Sequence, residues 1–247
     1  MKKALKMLCV FINTCLVVGF IVDIIDHAKN RINNHRQNFY ERWIKRPLDF
    51  LCASMALIVL SPVMAVTSFL IKKRLGSPVI FTQERPGLNE KIFKLYKFRS
   101  MTDERDENGE LLPNEERITP FGEKIRATSM DELPELVNII KGDMSIVGPR
   151  PLLVRYLPYY TDTEKERHSV RPGLTGLAQV TNEGNLSWDD KLQVDVDYAE
   201  NITFLGDLKV IFKTIKTVFV REDTHNDGFE PLDVERSQKI LQGVSDE

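Results

Sequence analysis

Two adjacent carboxylates, Asp131 and Glu132, are the side chains whose type and spacing best suit chemistry. They lie in RATSMDELPELVN, in a helix predicted to begin near Ser129, run to Lys141 and end at Gly142. Backbone amides at a helix start can hold phosphoryl oxygens, and a carboxylate beside them can act on a phosphate ester. A neighbouring carboxylate can bind Mg²⁺, which prefers carboxylate and phosphate oxygens.

The same pattern also has a structural interpretation. Ser129 and Glu132 have the spacing of a capping box, and acidic residues favour a helix N-terminus. Alternatively, Asp131 is itself the N-cap, which leaves Pro134 in the first turn, where no backbone donor is needed. We expect the helix start to lower the pKa of Asp131 and keep this carboxyl ionised. Spacing alone leaves both catalysis and helix capping open.

Several basic residues stand in contexts suited to binding phosphate. Arg150 lies between two prolines in VGPRP, and a stiff loop reduces the entropy lost when the side chain is aimed. Guanidinium groups match phosphate oxygens in bidentate fashion, although any one of these arginines could be structural. The other candidates are Lys97 and Arg99 in KFRSM, Arg126 shortly before the carboxylates, and Arg171 before a Pro-Gly turn.

Other kinds of chemistry lack their sequence motifs. The sequence contains no P-loop, dinucleotide-binding fingerprint, nucleophile elbow or H-E-x-x-H helix. Its four histidines form no spaced pair. Its three cysteines lie in apolar runs and indicate neither a disulfide framework nor a zinc site. The remaining candidates for chemistry are carboxylates, arginines and a bound hard cation.

The charge of the chain is distributed unevenly. Residues 1–100 carry 17 Lys and Arg against 6 Asp and Glu, whereas residues 101–247 carry 17 against 30. A basic half is attracted to nucleic acid or to the cytoplasmic face of a membrane. Here the basic residues flank apolar segments, which disfavours a nucleic-acid binder. An apolar fraction of 42% excludes wholesale disorder, and the length of 247 residues allows one large domain or two small ones.

Residues 50–71 form an uncharged apolar segment long enough to cross a membrane as a helix. Basic clusters flank both ends, and a spanning helix would place one of them on the wrong side. Pro62 lies near the midpoint and removes a helical hydrogen bond, and Ser61 can satisfy the freed carbonyl. We therefore predict a re-entrant helix-break-helix over about residues 47–74. A tilted span with a proline kink and a buried core helix are the alternatives.

The remaining segments yield a coarser prediction. A short strand-like run covers residues 78–87, and the alternating residues 91–101 suit an amphipathic strand or an interfacial element. An acidic, turn-rich surface loop covers residues 103–117. Two further helices are predicted, one from an S-x-x-D cap in SWDDKLQVDVDYAEN and one from Asp207. The second presents Leu208, Ile211, Phe212 and Ile215 on one face, which suits a membrane surface or the core equally. The topology of the apolar segment 7–22 stays open, as a span, an interfacial helix or a dip, and residues after about 221 are expected to be loosely ordered.

A series of motifs resembles one known family. KRPLDF, FTQERPG, KFRSM, TSMDELPELVNIIKGDMSIVGPRP, SVRPGLTGLAQV and LSWDDKLQVDVDYAEN occur in one order within residues 42–221. Together they resemble the bacterial sugar transferases, which are monotopic polyprenyl-phosphate phosphoglycosyl transferases. The resemblance implies a re-entrant membrane helix and a compact cytoplasmic catalytic domain. It also implies transfer of a sugar-1-phosphate from a UDP-sugar to undecaprenyl phosphate, with release of UMP.

The resemblance also implies roles for individual residues. Asp131 resembles the family's covalent nucleophile toward the β-phosphorus, and Glu132 its ligand for Mg²⁺, for which Mn²⁺ can substitute. Leu177 stands where the family often has tryptophan, which alters nucleotide or interface packing. The substrate-binding candidates are Lys97, Arg99, Arg126, Arg150, Arg171 and Gln179, of which Arg126 is included for its position rather than for a family motif.

We thus expect a mainly helical α+β monotopic membrane protein. Residues 1–41 form an N-terminal apolar segment and basic linker, residues 42–221 the transferase domain, and residues 222–247 a tail. The expected place is the bacterial inner membrane, with the catalytic domain facing the cytoplasm. The expected partners are a UDP-sugar, undecaprenyl phosphate, inner-membrane lipids and glycosyltransferases of the same pathway. The alternative is a non-enzymatic membrane-surface scaffold of a polysaccharide assembly machine, which would release no UMP.

Overall fold

The structure is a computed structural model that describes residues 38–181, 186–220 and 231–245. The predicted apolar segment 7–22 and most of the linker after it lie outside these residues. The helices are α1 Arg46–Arg74, α2 Asn114–Arg117, α3 Pro120–Ala127, α4 Glu135–Lys141, α5 Asp162–Lys165, α6 Leu177–Thr181, α7 Trp188–Glu200, α8 Phe204–Val220 and α9 Leu232–Ser245. The strands are β1 Ile80–Pro86, β2 Ile92–Phe98, β3 Ser145–Val147 and β4 Gly173–Thr175.

Shorter turns complete the chain. A π-helical turn, Tyr40–Lys45, leads into α1, and 3₁₀ turns cover Leu88–Glu90, Met130–Glu132, Val154–Tyr159 and Glu166–Ser169. The strands form two small sheets, one antiparallel (β1 with β2) and one parallel (β3 with β4). The mainly helical α+β architecture predicted from the sequence is confirmed for the described residues.

Helix α1 runs without interruption through Pro62. Proline has no N–H to give to the carbonyl four residues earlier, which here belongs to Ile58. The Ser61 hydroxyl donates to that Ile58 carbonyl at 2.8 Å, so the freed acceptor is satisfied as the sequence predicted. With its acceptor paired, the helix continues, and the predicted break between two helices is not found.

The two sides of α1 differ along its whole length. Asp49, Ala53, Thr67 and Ile71 are buried against the rest of the chain, whereas the opposite side is exposed. The helix that includes the preceding π-helical turn, Tyr40–Arg74, is long and apolar enough to cross a membrane. The alternative of a buried core helix is therefore wrong. The large apolar side chains exposed on α1 are Leu51, Met55, Ile58, Val59, Val63, Val66 and Phe69.

A buried charge network joins the base of α1 to α8. The Asp207 carboxylate accepts from Lys45 Nζ at 2.6 Å, Tyr40 OH at 2.8 Å and Tyr198 OH at 2.7 Å. The Asp49 carboxylate accepts from the Ser145 hydroxyl at 2.6 Å. Buried carboxylates are tolerated only when such partners are present, so these bonds fix the start of α1 to the domain.

The β1–β2 hairpin packs beside α4, which follows the two carboxylates. Asn138, fully buried on α4, accepts from the Tyr96 N–H at 3.0 Å and donates to the Lys94 carbonyl at 2.8 Å. This amide satisfies the free edge of β2, which would otherwise expose unpaired backbone groups to the core. The apolar residues buried around it are Ala53, Phe93, Leu95, Leu136, Ile139 and Met144.

The parallel pair β3–β4 depends on close backbone contact. Its partners are Ser145 with Gly173 and Val147 with Thr175. A Cβ on Gly173 would lie 2.1 Å from the Gly148 nitrogen, so only glycine permits this approach. The VGPRP loop and the RPGLTG turn are therefore held together backbone to backbone.

The outer elements confirm some predictions and correct one. The 103–117 loop is largely exposed, and Ser187 caps α7 by accepting from the Asp190 N–H at 3.1 Å. On α8, Val210 is buried whereas Phe212 and Ile215 are exposed, so this helix has both a core face and an exposed apolar face. The expectation of loose order after about residue 221 is wrong for α9, because α9 has its own apolar anchor to the domain.

Candidate active site

The two carboxylates lie on the 3₁₀ turn Met130–Glu132, between α3 and α4. Ser129 adopts the left-handed region (φ 51°), and its side chain caps no backbone amide. The predicted capping box is therefore wrong, because the Glu132 side chain turns to cations instead. The predicted helix is divided into this turn and α4, with Pro134 at the N-cap of α4. Its predicted end at Gly142 is confirmed.

Glu132 is the electrostatic centre of the site. Its Oε1 atom lies 2.7 Å from Lys97 Nζ on β2 and 3.1 Å from an Arg150 Nη2 in the VGPRP loop. Burial of the Glu132 carboxyl opposes its ionisation, but Arg150 and Lys97 outweigh that effect and lower its pKa well below the ordinary range. In turn Glu132 raises the pKa of Arg150, which therefore remains charged.

Asp131 differs from its neighbour in electrostatic environment. Burial, followed by the adjacent charge of Glu132, raises the pKa of Asp131, although Lys97 and Arg126 act in the opposite direction. The expectation that the helix start would lower this pKa is wrong. A single 3₁₀ turn offers too little dipole to offset desolvation and a neighbouring anion. A carboxylate with a raised pKa is the more basic of the two.

A third carboxylate, Glu135, belongs to the site and was not among the predicted residues. Its Oε1 atom lies 3.2 Å from Lys97 Nζ, and the residue is only 3% exposed. Burial and the charge of Glu132 raise the pKa of Glu135 to about 7. The signal in the sequence was its spacing, since residues three apart around a helix start share one face.

Two arginines surround this cluster. Arg126 donates from Nε to the Ser100 hydroxyl at 2.9 Å, and its charge acts on Asp131. Arg85, which was not among the predicted site residues, donates to the Pro151 carbonyl at 3.1 Å. Burial and the nearby charge of Arg150 lower the pKa of Arg85 to about 10. Its motif, FTQERPG, was the available signal.

Three predicted substrate-binding residues are not brought to the carboxylates. Arg99 donates to the Ser77 and Met101 carbonyls and pairs with Asp103 at 2.6 Å. Arg171 donates to the Gly142 carbonyl at 2.9 Å, at the opposite end of α4 from the site. Gln179 lies on α6, with a buried Oε1 that has no hydrogen-bond partner among the described residues. Their assignment to the substrate stays a prediction.

The donor set suits a substrate-assisted magnesium site. Mg²⁺ usually binds one or two carboxylates and completes its shell with waters and substrate phosphates. Among the described residues, no group of three or more His, Cys, Asp and Glu side chains could hold a metal ion by itself. The adjacent carboxylates of Asp131 and Glu132 nevertheless fit Mg²⁺, provided that phosphate oxygens complete the shell.

Comparison with known proteins identifies relatives over most of this fold. Residues 40–221 match the family described as bacterial sugar transferase. The uncharacterized sugar transferase EpsL of Bacillus subtilis is 49% identical over 179 residues, which cover 72% of this chain and 89% of that protein.

Two other relatives are longer proteins. The undecaprenyl-phosphate galactose phosphotransferase of Salmonella typhimurium is 37% identical over 79% of this chain and 44% of that protein. A UDP-N-acetylgalactosamine-undecaprenyl-phosphate N-acetylgalactosaminephosphotransferase of Aeromonas hydrophila is 37% identical over 78% of this chain and 48% of that protein. The chain therefore spans less than half the length of these two relatives.

We predict that Glu135→Gln increases stability in a pH-dependent way. The pKa of Glu135 rises from 4.5 to about 7 on folding, so ionisation costs nothing below pH 4.5 and progressively destabilises the folded state up to pH 7. Glutamine cannot ionise. The free energy of unfolding of the variant, relative to that of the wild type, should therefore increase by about 2 kcal/mol when the pH is raised from 5 to 8. Thermal unfolding in detergent at both pH values measures this difference.

The matched control is Glu84→Gln, at an exposed position on β1. Its effect on stability should be the same at both pH values. An equal effect of Glu135→Gln at pH 5 and pH 8 would contradict the raised pKa.

Proposed function

Because the chain belongs to the bacterial sugar transferase family, we propose that it is a phosphoglycosyl transferase at the bacterial inner membrane. It transfers a sugar-1-phosphate from a UDP-sugar to undecaprenyl phosphate and releases UMP. The observation that carries the proposal is the pair Asp131 and Glu132 set among Lys97, Arg126 and Arg150. Such a mixture of carboxylates and cations suits a diphosphate substrate, and two relatives are named for transfer to undecaprenyl phosphate.

In the first half-reaction, an Asp131 oxygen attacks the β-phosphorus of the UDP-sugar. A bond forms between that oxygen and phosphorus, and the phosphoanhydride bond to UMP breaks, so UMP leaves with its electron pair. The product is an acyl phosphate that links Asp131 to the sugar-1-phosphate. A covalent intermediate divides one difficult displacement into two easier ones. A carboxylate held in line also gains effective molarity over water.

In the second half-reaction, an oxygen of undecaprenyl phosphate attacks the same phosphorus. The new phosphoanhydride bond forms, the bond to Asp131 breaks, and the carboxylate is regenerated. Both half-reactions place negative charge on phosphoryl oxygens, which Lys97 and Arg150 would stabilise. Glu132 holds these two cations in place before the substrate arrives.

Glu132, with Asp131 beside it, is the residue that would hold Mg²⁺, for which Mn²⁺ could substitute. The ion would supply positive charge to the diphosphate as the leaving group departs. Lys97 has a second carboxyl partner in Glu135 at 3.2 Å, which remains in place when Glu132 turns to the ion.

The packing of α1 supports a helix whose two ends lie on the same side of the membrane. Near its start, Ala53 packs with Phe93 and Leu136, and near its end, Ile71 packs with Phe98 and Ile125. A helix that crossed the bilayer would carry one of these ends away from the domain. We therefore propose a monotopic arrangement, with both ends of α1 at the cytoplasmic face of the membrane and the catalytic domain in the cytoplasm, where UDP-sugars are available.

Assay of UMP release tests the proposed activity. Purified protein with undecaprenyl phosphate and a panel of UDP-sugars should release UMP with at least one sugar. A non-enzymatic scaffold would release none with any of them, and that result would end the proposal.

We predict that Asp131→Asn lowers turnover by at least about a thousandfold, because an amide cannot form the acyl phosphate. The fold should survive, since asparagine has nearly the shape of aspartate. Enzyme quenched with UDP-sugar and no lipid should carry a sugar-phosphate adduct on the peptide that contains Asp131. Asp143→Asn, a partly buried aspartate beyond α4, serves as the control for a general loss of charge.

A turnover of Asp131→Asn close to that of the wild type would contradict the assignment of the nucleophile. An adduct on a different peptide would do the same.

We predict that turnover requires Mg²⁺ or Mn²⁺ and is lost in excess chelator. Glu132→Gln should raise the metal concentration needed for half-maximal rate by about tenfold or more, because it weakens a charged ligand. Binding of Mn²⁺ in the presence of UDP-sugar, measured by electron paramagnetic resonance, gives a readout independent of turnover. Full activity in chelator would show that the basic side chains alone neutralise the diphosphate.

We predict that both ends of α1 are on the cytoplasmic side of the membrane. Cysteines introduced near Arg46 and near Lys73, with Cys52 replaced, should both resist an impermeant reagent applied to the periplasm of intact cells. Pro62→Leu restores the missing helical donor and should shift part of the population toward spanning. Periplasmic labelling at one end of the otherwise unchanged helix would rule out the monotopic arrangement.

A further inference from the structure

Helix α9 lies beyond residues 40–221, the part that matches the family, yet it packs against the segment that follows Arg150. Leu232, at its start, is 0% exposed and shares an apolar cluster with Tyr156, Tyr160 and Leu192. Helix α9 therefore contacts the segment that directly follows Arg150 in the chain.

Ion pairs near the start of α9 also attach this helix to the domain. Arg236 pairs with Glu164 at 2.7 Å and also with Asp189 at the start of α7. Asp233 pairs with Arg155 at 3.2 Å. The Arg236 side chain is 18% exposed and that of Glu164 12%, so this pair is screened less than a surface pair. One helical turn thus contacts the 3₁₀ turn Val154–Tyr159 through Arg155, and α5 and α7 through Arg236.

A continuous series of contacts leads from this cluster to the carboxylates. The Arg167 guanidinium lies 5.8 Å from the centre of the Tyr160 ring and is held by Asp195 at 2.6 Å. Arg167 also donates to the Arg150 backbone carbonyl at 2.8 Å. The Arg150 side chain then reaches Glu132 at 3.1 Å.

We infer that Leu232 and Arg236 are positioning residues of the active site, which fix the backbone from which Arg150 reaches Glu132. The inference rests on the proposed phosphoglycosyl transfer, in which Arg150 stabilises charge on the phosphoryl oxygens. A guanidinium displaced by about 1 Å loses much of its effect on the transition state. Helix α9 thereby contributes to a site that the family motifs place entirely before it.

The test compares two leucines on the same helix. Leu232→Ala removes the buried anchor, whereas Leu241→Ala changes a side chain that is 71% exposed. Leu232→Ala should lower kcat/KM for UMP release by about ten- to a hundredfold, and Leu241→Ala should change it less than about twofold. Arg236→Gln leaves the apolar cluster intact and should lower kcat/KM by a smaller factor. This variant still tests the inference if Leu232→Ala does not fold.

Two further readouts separate positioning from general stability. In an Arg150→Lys background, Arg236→Gln or Leu232→Ala should lower kcat/KM by less than about threefold. The reason is that the guanidinium that these residues position is no longer present. Hydrogen exchange should show faster amide exchange over residues 152–160 in both variants and not in Leu241→Ala.

Equal losses in the two backgrounds would overturn the inference, as would folded variants with wild-type kinetics and unchanged exchange. If the wild-type protein releases no UMP, the proposed function fails. In that case the hydrogen-exchange result still decides whether α9 holds the segment after Arg150.

Discussion

The ion pairs made by one atom, Glu132 Oε1, fix the relative positions of three parts of the chain. Lys97 reaches this oxygen from the β1–β2 hairpin, Arg150 from the loop after β3, and Glu132 itself stands just before α4. The Glu132 side chain is 16% exposed, so a missing cation would leave a nearly buried charge without compensation. The same ion pairs therefore determine both the geometry of the site and the packing of these three elements.

Other buried charges extend the same constraint to helix α1. The Asp207 carboxylate accepts hydrogen bonds from Lys45, Tyr40 and Tyr198, and the Asp49 carboxylate accepts one from Ser145. Because α1 contributes to the same apolar clusters as the hairpin and α4, its position relative to the carboxylates is fixed by packing. This arrangement would hold the site at a constant depth relative to the bilayer, which suits an acceptor whose phosphate stays at the membrane surface.

The parts of the fold predictable from sequence are those governed by local chemistry. The hairpin follows from alternating residues, Gly142 ends α4, and Ser61 pairs with the carbonyl freed by Pro62. The prediction failed where tertiary contacts decide. Glu132 turns away from a capping role because Lys97 and Arg150, distant in sequence, reach it, and burial reverses the expected pKa shift of Asp131. Glu135 and Arg85 stand in a suggestive spacing and motif, but their place beside the carboxylates likewise depends on tertiary packing.

The proposed reaction proceeds through an aspartyl intermediate, with UMP released before the lipid acceptor reacts. Isotope exchange tests this order most directly: enzyme is incubated with UDP-sugar and labelled UMP in the absence of undecaprenyl phosphate. Label should enter the UDP-sugar pool with the wild-type enzyme and should not do so with Asp131→Asn. A wild-type enzyme that transfers sugar-phosphate to lipid, yet exchanges no UMP until lipid is added, would contradict the aspartyl intermediate.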